Sequence, residues 1–130
     1  DGNYYSGTGS LWVQMPYTVG WSWRSPDIVI DLGQTRQIRG AAFNTAAGTA
    51  GVYWPAAVNI AVSNDGINYT PAGDLVSLSN AENGTPPPYG TYAVHCYQTR
   101  NLNASGRYVK LSAVRDGQFI FVDEIEIFEE

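Results

Sequence analysis

The chain has 130 residues, with 12 acidic against 7 basic side chains and a net charge of -5. That length suits one ordinary domain with a core that needs neither metal nor disulfide, and the acidic balance argues against nucleic acid and anionic membrane as partners. A single cysteine, Cys96, excludes an internal disulfide, no Cys and His spacing fits zinc, and no run of about 18 apolar residues offers a membrane span.

No basic-then-apolar leader opens the chain, and its abrupt start at Asp1 is expected of a soluble domain excised from a longer protein. No helical period persists over a long window, whereas period-two alternation recurs in short segments bounded by Gly, Pro, Asn and Asp. In DIVIDL, Ile28, Ile30 and Leu32 share a face, and IRGAAFNT follows as a further strand after the GQTRQ connection. AVNIAVS presents Val58, Ile60 and Val62 to one side, and Asn64-Asp65-Gly66 turns it into a shorter strand around Asn68 to Thr70. The prolines at 86 to 88 mark a loop; TYAVHCY then aligns Tyr92, Val94 and Cys96, and RYVKLSA aligns Val109, Leu111 and Ala113. One buried and one wet face per strand predicts an all-β fold, an antiparallel two-sheet β-sandwich forming a single domain over 1–130. Cys96 is then a buried small hydrophobe, and His95 faces water.

Chain parity groups the loops. If successive strands alternate in direction, WSWRSP, AGTAGVYWP, SNAENGTPPPYG and RDGQ emerge at one end, and GQTRQ, NDG and NLNASG at the other. The first group carries Trp21, Trp23, Arg24, Tyr53, Trp54, Tyr89, Arg115, Asp116 and Gln118, while the second has no aromatic residue. A loop-borne function is expected at the aromatic end.

DIVIDLG, IRGAAF, VNIAVSNDGINYT, GRYVKLSAV and DEIEIF, in this order over Asp27 to Phe128, resemble the discoidin fold of coagulation-factor type C domains. Within that superfamily the chain is most similar to the bacterial family-32 carbohydrate-binding modules attached to glycoside hydrolases. The absence of a terminal cysteine pair sets it apart from the coagulation branch and its phospholipid ligands. The resemblance implies a jelly-roll-like, discoidin-like sandwich with loop-borne binding sites. It also implies a structural calcium held by Asp1 and Asn3 of an Asp-Gly-Asn turn, the Ser6 hydroxyl and Glu124, a hard-oxygen set suited to that ion. The alternation of Phe119 and Phe121 with Ile125 and Ile127 would force Asp123 inward, a conflict that a bulge or a nearby cation relieves. The opposing reading makes Asp1 a bare terminus and Glu124 a surface carboxylate.

Tyr53 and Trp54 offer a platform for the C–H face of a sugar, or one of them caps the open end of the sandwich. Adjacent extended residues point opposite ways, and Trp54 is favoured as the outward ring. Of Trp21 and Trp23, one belongs to the core, and Trp23 with Arg24 is the better ligand candidate. Arg115 and Gln118 match a region that often contributes to sugar binding in the family, although Arg115 can instead pair with Asp116. Asp27, Glu82 and Asp116 do not form a facing pair of catalytic carboxylates, and the lone His lies mid-strand, so no enzyme is expected. Three N-x-S/T sequons, at Asn68, Asn83 and Asn103, are no more than an Asn-rich chain produces by chance.

These features together point to a secreted or cell-surface, non-catalytic carbohydrate-binding module. It would act as a monomer within a larger bacterial glycan-active protein. An adhesion domain for a protein partner predicts a wide apolar patch around Trp54 and Phe119. A structural spacer predicts that Tyr53, Trp54 and Trp23 are all buried.

Overall fold

The computed structural model describes residues 10–13 and 18–129. A 3-10 turn at Leu11–Val13 precedes β1 (Val19–Ser22), β2 (Asp27–Ala47), β3 (Ala57–Ser63), β4 (Thr70–Asp74), α1 (Leu75–Asn83), β5 (Ala93–Thr99), β6 (Ala104–Val114), β7 (Phe119–Val122) and β8 (Glu124–Glu129). All the strand pairs are antiparallel.

The sequence suggests separate strands for DIVIDL and IRGAAFNT, but both belong to β2, and GQTRQ lies inside it. A straight strand of that length would reach about 70 Å, against a radius of gyration of about 14 Å for a domain of this size, so it has to bend. Register shifts between Asp31 and Arg36 and between Ile38 and Gly40 mark where it does. Its first half pairs with β6, which continues through β3 to β4. Its second half lies between β5 and β8 and supplies the facing layer. A separate two-stranded sheet joins β1 to β7.

Between the layers lies one apolar core. Val58, Ile60 and Val62 from β3 and Val109, Leu111 and Ala113 from β6 meet Ile38, Ala41, Phe43 and Tyr97 there, and Ile28, Ile30 and Leu32 pack on its margin. These inward triplets of β2, β3 and β6 are the ones that alternation gives. In β5 the faces are reversed: Tyr97 and Thr99 are buried, Val94 is exposed, and both His95 and Cys96 are half-buried. A one-residue shift of register exchanges every side chain between faces, and the large Tyr97 ring rather than Val94 fills the core.

A helix absent from the sequence reading, α1, follows β4. Asp74 caps it, its carboxylate accepting from Val76 N at 3.1 Å, from Ser77 Oγ at 2.8 Å and from Val58 N at 3.0 Å. The helix carries Glu82 away from the aromatic end, where sequence reading placed it; its carboxylate accepts from Thr99 Oγ1 at 2.6 Å and Asn101 Nδ2 at 2.9 Å. At the β7–β8 junction the strand breaks at Asp123, so Ile120 and Val122 enter the core in place of Phe119 and Phe121. Asp123 accepts from Asn44 Nδ2 at 2.8 Å, which satisfies the carboxylate that unbroken alternation would have stranded.

Candidate functional site

Both predicted loop groups assemble, although by a bent strand rather than a turn at GQTRQ, and without residues 79–83 of SNAENGTPPPYG, which belong to α1. At the far end Thr35 Oγ1 donates to Asn64 Oδ1 at 3.0 Å and Gln37 Nε2 to Asn103 Oδ1 at 3.1 Å, joining GQTRQ to NDG and NLNASG. The opposite end gathers the segments around residues 21–26, 48–56, 84–92 and 114–119. Trp23 N donates to Gln118 O at 2.7 Å, Ala113 N to Pro26 O at 3.0 Å and Ala56 N to Val114 O at 2.8 Å. Gly90 N donates to Gly48 O at 2.9 Å, and Val52 bridges to Phe119. Four segments tied by main-chain bonds make a rim whose side chains need little ordering when a ligand arrives.

On this rim Tyr53 and Tyr89 stack, their centroids 4.2 Å apart and their planes 12° apart. Tyr89 Oη accepts from Gly51 N at 3.2 Å. Gly117 lies against the Tyr53 ring, and a Cβ there would run into it. Sequence reading favours Trp54 as the outward ring, and the structure reverses that: Tyr53 is 40% exposed, whereas Trp54 is half-buried and packs against the core. Its indole Nε1–H donates to Pro87 O at 2.6 Å, and its ring meets His95 and Tyr97 edge-on at 5.9 and 6.4 Å. The reason is local. Pro87 supplies the one partner that an indole N–H requires, and the gap above His95 and Tyr97 needs a large ring.

Trp23 is 63% exposed and has a φ of 59°, a left-handed conformation that bulky residues rarely adopt. The Arg115 guanidinium lies 5.2 Å from its ring centroid, and Arg115 Nη1 donates to Gly117 O at 3.1 Å. Arg115 N donates to Ser25 Oγ at 3.3 Å, which links both loops again. Trp21, its partner in WSWRSP, is half-buried against the core, as expected of one of the two. Arg24 is exposed and Gln118 half-exposed. The rim therefore unites Trp23, Arg24, Tyr53, Tyr89, Arg115 and Gln118, and Trp54 lies beneath it as a strut. Gly117 carries no signal in the sequence beyond being a glycine within RDGQ.

Neither rival expectation is met, since Trp23 and Tyr53 are exposed while Trp54 and Phe119 are both half-buried. Beneath the rim, burial alone lowers the His95 pKa, and its Nε2 finds no hydrogen-bond partner among the described residues. A neutral imidazole wedged between aromatic rings is a packing element, not the wet-side residue that alternation suggests. Among the described residues no group of three or more His, Cys, Asp or Glu is arranged to hold a metal. Of the expected calcium ligands, Asp1, Asn3 and Ser6 lie outside the described residues. Glu124 is 8% exposed and sits opposite Asn44, immediately after the Asp123 break.

The F5/8 type C domain family model matches residues 1–125. No curated protein matches the chain. Among solved structures, the chain is similar to CpGH89CBM32-5 from Clostridium perfringens in complex with GalNAc-β-1,3-galactose, with a TM-score of 0.58 and 17% identity, covering 85% of this chain and 74% of that one. It is also similar to CpGH89CBM32-6 produced by Clostridium perfringens, with a TM-score of 0.55 and 19% identity over 85% of this chain and 76% of that one. A third is CBM32-1 from a family 31 glycoside hydrolase of the same organism, with a TM-score of 0.53 and 18% identity over 85% and 75%. These likenesses support the discoidin-like β-sandwich.

Proposed function

Because the chain belongs to the F5/8 type C domain family, we propose that it is a non-catalytic carbohydrate-binding module whose ligand seats on the aromatic rim. The observation that carries this reading is Trp23, an exposed indole held in a left-handed backbone conformation beside Arg115. A pyranose lays its C–H face on such a ring, while Arg24, Arg115 and Gln118 exchange hydrogen bonds with its hydroxyls. Tyr53 and Tyr89, being stacked on each other, form a wall beside the sugar. A similarly folded protein has been solved with GalNAc-β-1,3-galactose bound, which supports a glycan as the ligand class.

The module works by tethering: holding a secreted or cell-surface bacterial enzyme on its glycan raises the local concentration of the catalytic domain. No helix among the described residues is long and apolar enough to cross a membrane. A structural calcium bound by Asp1, Asn3, Ser6 and Glu124 belongs to the same reading. Glu124, the member of that set among the described residues, is 8% exposed and offers a carboxylate oxygen of the hard kind that calcium takes.

A glycan array probed with the wild type and with Trp23→Ala tests the proposal, with tryptophan fluorescence titration of every hit. A hit that Trp23→Ala weakens by about ten-fold or more is the expected outcome. Silence across galactosides, N-acetylhexosamines, uronic acids and plant polysaccharides contradicts it.

A further inference from the structure

We infer that the rim takes a sugar carrying an anionic substituent, a carboxylate or a sulfate ester, gripped by Arg24 and Arg115 while the ring lies on Trp23. This rests on the carbohydrate reading above and adds the charge of the ligand to it.

The other cations of the chain are engaged elsewhere. Arg107 pairs with Asp31 at 2.8 Å and Arg36 with Glu129 at 3.5 Å. Arg100 covers the Phe128 ring at 3.9 Å, Lys110 covers Tyr69 at 4.3 Å, and Arg39 donates to Asn103 at 3.4 Å. The two arginines of the rim differ. Arg24 is exposed and makes no hydrogen bond or ion pair among the described residues. The Arg115 guanidinium donates once, to Gly117 O, and otherwise rests on Trp23, with no carboxylate as partner among the described residues. Among the described residues, four of the five guanidinium N–H donors of Arg115 and all five of Arg24 thus remain available.

The two stand on loops that touch: the Trp23 ring meets the Arg115 guanidinium, and the Ser25 hydroxyl accepts from Arg115 main-chain N. Asp27 and Asp116 are the nearest carboxylates in sequence; both are exposed and neither pairs with the arginines. The negative charge of the whole chain does not oppose an anionic ligand, since charges more than about 8 Å away are largely screened at ordinary ionic strength. A carboxylate or sulfate accepts two parallel N–H bonds from one guanidinium fork, which a neutral hydroxyl cannot do.

Calorimetric titration of the full chain with trigalacturonate, with its methyl ester and with a galactose sulfate ester separates the possibilities. The inference predicts that trigalacturonate or the sulfate binds about ten-fold or more tightly than the uncharged ester, a gap that narrows with added salt. Arg24→Met should bring the acid-to-ester ratio close to one, with a thermal melt confirming that the exposed substitution leaves the domain folded. Whichever of carboxylate and sulfate binds better identifies the substituent. Equal binding of acid and ester, or binding of neutral galactosides alone, overturns the charge inference and leaves the carbohydrate reading intact. Binding to no sugar at all, or to phosphatidylserine vesicles only, overturns both.

Discussion

Replacing Trp54 separates a strut from a platform. The indole is half-buried over Tyr97 and His95 and donates its N–H to Pro87 O at 2.6 Å. Truncating a fully buried Trp to Ala costs about 3–5 kcal/mol. Partial burial reduces that to roughly 2–3 kcal/mol, of which the hydrogen bond contributes about 1 kcal/mol. For a domain of this size each kcal/mol lowers Tm by roughly 3–5 °C, so Trp54→Ala should melt about 10 °C lower. Trp54→Phe keeps a six-membered ring in the gap and loses the hydrogen bond with part of the packing, so its shift should be clearly smaller, about 5 °C. The assay is thermal unfolding by circular dichroism, read beside glycan binding for each variant. An unchanged Tm for Trp54→Ala together with abolished binding would refute the inward assignment and make this ring the platform.

Gly117→Ala places a methyl group in the Tyr53 ring, so it should break the Tyr53–Tyr89 stack and weaken glycan binding several-fold, with a small loss of Tm; titration and melting measure both. The far-end loops should be acid-sensitive. Hydrogen bonds from Arg107 and then Gly33 N pull the Asp31 pKa down to about 2, and bonds from the backbone of Asn68 and Ile67 hold Asp65 well below its ordinary range. Depressed folded-state values mean that this stabilisation is complete above the ordinary carboxylate pKa and is lost as pH falls through the folded values. The Tm difference between wild type and Asp65→Ala should therefore be constant above about pH 5 and shrink towards pH 2. If Glu124 helps to hold calcium, chelator should lower Tm and added calcium restore it, and Glu124→Gln should abolish that response.

The parts of the fold legible in sequence are those where alternation meets a core on one side only. Val58, Ile60 and Val62, and Val109, Leu111 and Ala113, are six such positions, and all are buried. In β5 the same rule failed because Tyr97 fits either face by composition and only the depth of the core decides. The helix α1 was illegible for a different reason: it buries only Leu75, Val76 and Ser79, too few for a visible stripe. Its ends did carry signals, since Asp74 can cap and Gly84, at φ 85°, can terminate. The GQTRQ segment has the composition of a turn, and the structure uses it as an irregularity inside β2. The turn expected at GQTRQ does not exist, yet the loops on either side of β2 still fall at one end, because β2 reverses by bending. Of the site, the aromatic end was legible from where Trp and Tyr fall along the chain. The inward turn of Trp54 was not, because it depends on a carbonyl 33 residues away in the chain.

The most direct measurement is amide and indole chemical-shift mapping of the isotope-labelled domain, titrated with its best array ligand. The largest shifts should fall on the Trp23 indole N–H, Arg24, Arg115 and Gln118, with Tyr89 and Tyr53 following. Asn64, Asn68 and Asn103 at the opposite end should stay still. Shifts concentrated at those asparagines, with the Trp23 indole unmoved, would contradict the rim as the binding site.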